Sequence, residues 1–150
     1  MKLTILTLGK KHDAAIEAAI TDYAARIARH IPLEWRIIPS ADQKTEHAAI
    51  LTTLEKLSPD FIIALDERGK EMNTSELADF VNKRMASGVR HVLLIIGGAY
   101  GLSDEIRAKA HTVWSLSRLT LPHQLVRLIT VEALARALSV IKGEPYHHAS

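Results

Sequence analysis

His91-Val92-Leu93-Leu94-Ile95-Ile96-Gly97-Gly98-Ala99-Tyr100-Gly101 is the stretch on which the fold turns. Six residues, five of them apolar, run without a break into paired glycines. A strand with one wet face alternates apolar and polar residues. A continuous run is what a strand covered on both faces requires, as in a parallel sheet. Phe61 to Leu65 (FIIAL) repeats the pattern behind Pro59-Asp60, and the chain on either side supplies helices.

Working outward, Lys2 to Gly9 (KLTILTLG) alternates and reads as a first strand. Asp13 to His30 is alanine-rich, with Ile16, Ile20, Tyr23 and Ile27 at helical spacing, and Pro32 ends it. Leu33, Trp35 and Ile37 alternate as a second strand. Ala41 to Leu57 carries Ile50, Leu51, Leu54 and Leu57 on a second helix. After FIIAL, Asp66 to Asn73 reads as a polar loop holding Gly69. Thr74 or Ser75 is expected to cap a third helix to about Ala86, with Leu77, Phe80, Val81 and Met85 inward.

Beyond the glycines, Ser103 is the expected N-cap of a short helix with Asp104 and Glu105 in its first turn. Thr112 to Leu116 makes a last strand, and Pro122 opens a final helix to about Lys142. Strand and helix alternate five times, which predicts an α/β fold: a parallel sheet with helices on both faces. Ligands in such sheets bind beyond the carboxyl ends of the strands. The loops at Asp66–Asn73, Gly97–Leu102 and Leu116–Pro122 all follow strands, so they are expected to gather on one edge.

Size and composition set the bounds. The chain has 150 residues, 47% of them hydrophobic, and no cysteine. One domain over residues 1–150 is expected, burying roughly 70% of its unfolded surface. Disulfides, thiolate metal sites and cysteine nucleophiles are excluded. The apolar runs fall far short of the ~20 residues of a membrane helix, no cleavable leader is visible, and the expected location is the cytoplasm. A net charge of +2 does not by itself demand nucleic acid. Lys10, Lys11 and His12 form one basic group, and Arg26, Arg29, His30 and Arg36 another; either is placed to meet phosphate and neither is diagnostic.

Three segments bear on chemistry. Gly97-Gly98-x-x-Gly101 permits a sharp turn and close approach of a ligand to main chain; a tight turn alone also accounts for it. It lacks the spacing and downstream acid of a dinucleotide site. Ser115-Leu116-Ser117-Arg118-Leu119-Thr120-Leu121-Pro122-His123 mixes hydroxyls with leucines. It suits a buried connection, and equally an adenine held by main-chain groups between leucines. In the final helix Leu125, Val126, Leu128, Ile129, Val131, Leu134, Leu138, Val140 and Ile141 cover nearly the whole circumference, which predicts burial all round and a subunit interface. Glu132 and Arg136 stand four apart, in the favourable order for an ion pair, with Arg127 on the other side. Tyr146, His147 and His148 close the chain.

LLIIGGAYGLS, WSLSRLTLPHQLVR, VEALARALSV and the closing PYH, together with KLTILTLGK and IALDERGK, resemble the ribosomal RNA large-subunit methyltransferase H family. These are the pseudouridine N3-methyltransferases of the SPOUT superfamily. The resemblance spans the whole chain. It implies a C-terminal trefoil knot, a homodimer and S-adenosylmethionine as cofactor. No metal is expected, because of eight histidines only His147 and His148 are adjacent and no helix carries a ligand pair four apart with a carboxylate. The implied substrate is a pseudouridine of large-subunit (23S) ribosomal RNA, methylated at N3 on assembled ribosomes. Residues matching the family's cofactor segments are Leu65, Gly98, Ser117, Arg118, Leu119, Thr120, Leu121 and Pro122. Catalytic candidates are His147 or Tyr146 as base, Arg136 as electrostatic partner and Glu132 orienting it. The rival reading is a non-catalytic ribosome- or RNA-binding factor with the same fold.

Overall fold

The computed structural model describes residues 1–145. Five strands, β1 (Lys2–Leu8), β2 (Leu33–Ile38), β3 (Phe61–Glu71), β4 (His91–Ile96) and β5 (Thr112–Ser115), form one sheet in the order β2-β1-β4-β3-β5. Every pairing is parallel. The helices are α1 (Ala14–Ala28), α2 (Gln43–Leu57), α3 (Thr74–Ala86), α4 (Asp104–Lys109) and α5 (His123–Lys142).

The unbroken apolar runs sit where that order puts them, in the interior strands. Successive side chains of a strand point to opposite faces, and the core is accordingly double. Leu3, Ile5, Leu94, Ile96, Ile63 and Leu65 face one layer, which takes in Ile20 and Ile27 of α1, Leu77 and Val81 of α3, and Val131, Leu134 and Leu138 of α5. Leu6, Leu8, Leu93, Ile95, Ile62 and Ala64 face the other, against Ile50 and Leu54 of α2 and Ile106 of α4. α5 packs against both α1 and α3 on the first face.

Two expectations need correction. Asp66–Asn73 is not simply a loop. β3 resumes after a register shift between Leu65 and Lys70, pairing Lys70 with Trp114 and Glu71 with Ser115. Gly69 makes this possible, because a Cβ there would lie 2.6 Å from the Val113 carbonyl group. The third helix is capped by Asn73, not by Thr74 or Ser75. Its side chain accepts from Glu76 N at 2.8 Å while Glu76 Oε1 accepts from Asn73 N, a reciprocal capping box. Within one chain α5 leaves Leu125 and Val140 exposed, so a single copy does not cover the helix all round.

Elsewhere the elements fall within a residue or two of expectation. Asp42 caps α2 and Ser103 caps α4 through their side chains. Pro122 stands at the N-cap of α5, and Gly143 closes that helix in the left-handed conformation.

Candidate functional site

The sheet is parallel, so the segments leaving β3, β4 and β5 all emerge at one edge. There they enclose a cavity of about 380 Å³. From β3 come Leu65 and the bulge Asp66, Glu67 and Arg68; from β4, Ile96 and the turn Gly97 to Gly101; from β5, Leu116, Ser117 and Leu119 to Leu121. His123 and Val126 of α5 form its floor.

Local hydrogen bonds set the shape of each segment. In the glycine turn Gly101 N donates to Gly98 O at 3.0 Å and Gly101 takes φ +69°. A Cβ on Gly97 would stand 2.9 Å from Gly101 main chain, and one on Gly98 3.2 Å from Leu8 Cβ. The turn therefore requires Gly97, while a side chain at Gly98 would need Leu8 to give way by a few tenths of an ångström. In the last loop Ser115 Oγ donates to Ser117 O, and Ser117 Oγ accepts from Leu119 N at 3.0 Å. These are the hydroxyl-to-backbone bonds expected of such a run. Thr120 Oγ1 donates to Glu67 Oε2 at 3.3 Å, tying this loop to the β3 bulge.

Charge at the rim is organised around Asp66, whose side chain is nearly buried. Burial pushes its carboxyl upward. Hydrogen bonds from Arg68, with the charges of Arg68 and Arg107, outweigh that and hold it below the usual aspartate value. On α5 burial, then the charge of Arg127, push His123 below the usual histidine value.

Of the cofactor candidates, Leu65, Gly98, Ser117, Leu119, Thr120 and Leu121 line this cavity. Arg118 and Pro122 are not among its lining residues. The Arg118 side chain is largely exposed and pairs with Glu71 at 3.4 Å. Glu132 and Arg136 line a separate, smaller cavity of about 150 Å³, together with Asn73, Leu77, Trp114 and Leu116. Leu116 borders both cavities. Arg136 Nε donates to Glu132 Oε1 at 2.8 Å, the pair expected from their spacing. Tyr146 and His147 lie outside the described residues.

The loops carrying Asp66, Glu67 and Tyr100 lie on the edge expected from strand order, and His123 ends the hydroxyl-leucine run, but sequence reasoning singles out none of the four as a lining group. The polar run DER directly after a buried strand is the available signal for Asp66 and Glu67. A further hollow of about 600 Å³ lies between α2 and the glycine turn. At its edge His47 Nε2 donates to Glu105 while His47 Nδ1 accepts from Ser103 Oγ. Among the described residues no group of three or more His, Asp or Glu could hold a metal ion. Among them, too, no helix is long and apolar enough to cross a membrane.

A parallel sheet whose glycine turn and hydroxyl-leucine loop close over one cavity defines an α/β protein with a small-molecule site at the carboxyl edge of its sheet. Residues 1–147 match the family described as "Predicted SPOUT methyltransferase", and the chain belongs to that family. The chain is 42% identical to the "Ribosomal RNA large subunit methyltransferase H" of Geobacter metallireducens, covering 99% of this chain and 100% of that protein. It is 38% identical to the protein of the same name from Bacteroides thetaiotaomicron, covering 99% of each. Among solved structures, a probable methylase family protein from Haemophilus influenzae superposes with a TM-score of 0.58 at 14% identity, over 98% of this chain and 70% of that one. A probable methyltransferase from Bordetella pertussis gives 0.58 at 15%, over 91% and 96%. At such identities these two share the fold.

Proposed function

We propose that the chain is a single-domain, homodimeric, cytoplasmic enzyme. It transfers the methyl group of S-adenosylmethionine to N3 of a pseudouridine in large-subunit ribosomal RNA, on assembled ribosomes. The observation that carries this reading is the convergence of Leu65, Gly98, Ser117 and Leu119–Leu121 on one cavity, in a chain whose full-length relatives are named for ribosomal RNA methylation. The reading includes a knotted C-terminal part. In its favour, the chain leaves the sheet at edge strand β5 and returns across it, so that Arg127 reaches Leu8 O at the end of β1.

The cavity suits such a cofactor. Its volume falls within the range of about 300–1,000 Å³ usual for small-molecule sites. Leu65, Ile96, Leu116 and Leu121 offer apolar walls for a purine. Gly97, Gly98 and Gly101 offer main chain without a side chain of their own, and the Asp66 and Glu67 carboxylates suit a cationic, hydroxyl-bearing molecule. S-adenosylmethionine, when bound, supplies an already activated sulfonium methyl, so the protein's task is placement.

Pseudouridine N3 carries a proton that has to leave as the new N–C bond forms and the S–C bond breaks. His147 or Tyr146 takes that proton. Arg136, held by Glu132, stabilises the negative charge that develops on the base. Arg118, exposed beside the cavity, faces the RNA. The apolar surface left on α5, with Leu125 and Val140 exposed, is the dimer interface.

Mass mapping of ribosomal RNA from cells lacking this chain tests substrate and reaction together. One pseudouridine is expected to lose its methyl group, and an unchanged modification pattern refutes the assignment. Calorimetry with S-adenosylmethionine separates the enzyme from a non-catalytic ribosome-binding factor: micromolar binding is expected of the enzyme, and none of the factor.

A further inference from the structure

The strand order creates a second crevice. From β1 the chain turns outward towards β2, and from β4 it moves the other way towards β5. The carboxyl ends of β1 and β4 therefore form a topological switch point, where parallel sheets characteristically bind ligands. The cofactor cavity lies to one side of it, over β3, β4 and β5.

What fills this crevice is unusual. Arg127 of α5 is fully buried and forms no ion pair among the described residues. One of its terminal nitrogens donates to Leu8 O at 3.2 Å and His123 Nε2 at 3.1 Å, the other to His12 Nδ1 at 3.3 Å. Its Nε is buried with no partner among the described residues. Asp13 and Glu17 face the cluster without forming an ion pair with it. A buried cation lacking a counter-ion is costly, and its field is poorly screened on the side where the crevice opens.

The hydrogen bonds also fix a tautomer. A guanidinium only donates, so His12 Nδ1 carries the lone pair and the ring proton sits on Nε2. The ring is held edge-on to Trp35, centroids 4.5 Å apart, and no hydrogen bond among the described residues uses its Nε2. Beside it are exposed Lys10 and Lys11. Gly9 turns the chain here at φ +114°, a conformation that favours glycine, with exposed Ser40 alongside.

We propose that Lys10, Lys11 and the His12 Nε2–H, backed by buried Arg127 at the carboxyl end of β1, grip a phosphodiester of the RNA substrate. The inference rests on the RNA-methylating function proposed above and adds where the nucleic-acid backbone is held. His123 belongs to both places, touching Arg127 and lining the cofactor cavity, so the gripped phosphate lies beside that cavity.

Filter binding to intact ribosomes from cells lacking the chain tests this, using the full chain with S-adenosylmethionine present and a salt series. Lys10→Glu/Lys11→Glu is expected to weaken binding at least tenfold. The slope of log affinity against log salt should become shallower by about one for each phosphate no longer gripped. His12→Phe keeps a ring on Trp35 but removes the donor, and should weaken binding several-fold. His12→Gln, which can accept from Arg127 and donate outward, should restore it. Calorimetric affinity for S-adenosylmethionine should stay within twofold in the lysine variant. Wild-type affinity and salt slope in the lysine variant would overturn the proposal, as would a wild-type chain that does not bind ribosomes. Methyl transfer by the wild-type chain, scored separately, reports on the proposed function: transfer with an unaltered lysine variant removes the phosphate site and leaves the enzyme standing.

Discussion

Arg107 of α4 reaches the Asp66 carboxylate on β3 at 3.3 Å and with the same terminal nitrogen donates to Leu102 O. One guanidinium thus joins the β3 bulge to the end of the glycine turn, two of the three segments around the cavity. Its second terminal nitrogen pairs with Asp104. Nothing else among the described hydrogen bonds ties these two segments so directly.

Removing that tie should loosen the cavity more than it unfolds the chain. Arg107→Ala is expected to destabilise by about 1–3 kcal/mol, the usual cost of leaving a part-buried polar partner unsatisfied. It should weaken S-adenosylmethionine binding roughly tenfold, about 1.4 kcal/mol. Denaturant unfolding and calorimetry on the same preparation check both numbers. Unchanged affinity would mean that the bulge keeps its position without Arg107.

Gly69 gives a sharper test of how β3 meets β5. With a Cβ placed 2.6 Å from Val113 main chain, the partner that must move is backbone, not a flexible side chain. Gly69→Ala should cost about 1–3 kcal/mol by overpacking. Gly88→Ala, where a Cβ would meet nothing but φ is +80°, should cost about 1 kcal/mol through conformation alone. Comparing the two midpoints in urea distinguishes steric from conformational cost.

Acid should destabilise the fold in two stages. His12, His91 and His123 all have pKa values lowered in the folded state, chiefly by burial. Below the ordinary histidine value near 6.5 the unfolded chain therefore binds more protons than the folded one, and stability falls as pH drops through that value. Asp66, where burial is outweighed by Arg68 and Arg107, adds a second loss once pH falls below the ordinary aspartate range. Thermal midpoints are expected to be flat above about pH 7.5 and to decline from about 6.5 downward. His123→Gln should reduce the first decline and leave the second.

Arg136 and Glu132 should separate chemistry from binding. Arg136→Ala is expected to lower kcat about a hundred- to a thousandfold, with S-adenosylmethionine affinity unchanged because the pair lines the smaller cavity. Single-turnover methyl transfer measures the first, calorimetry the second. Wild-type kcat in this variant would remove the pair from the mechanism.

Leu125 is the exposed apolar residue on α5 best suited to report on assembly. Leu125→Glu should shift sedimentation from twice the chain mass to one chain mass at micromolar concentration. A wild-type chain that sediments as a monomer would refute the dimer outright.

The elements and their direction are legible in the order of residues alone. FIIAL and HVLLII announce strands covered on both faces, and alternation in KLTILTL assigns Leu3 and Ile5 to one layer and Leu6 and Leu8 to the other. Parallel strands joined by helices must send their exit loops to one edge, so Leu65, Gly98 and Ser117–Leu121 were bound to meet there. Periodicity reports how deeply a residue is buried but not what it is buried against. That required the folded chain: strand order β2-β1-β4-β3-β5, the second stretch of β3 beyond its bulge, and the arrival of Arg127 at a carbonyl 119 residues away. A lone arginine among leucines looks like surface until α5 is laid across the end of β1. Its neighbours are then set by packing over the whole chain, which no local pattern encodes.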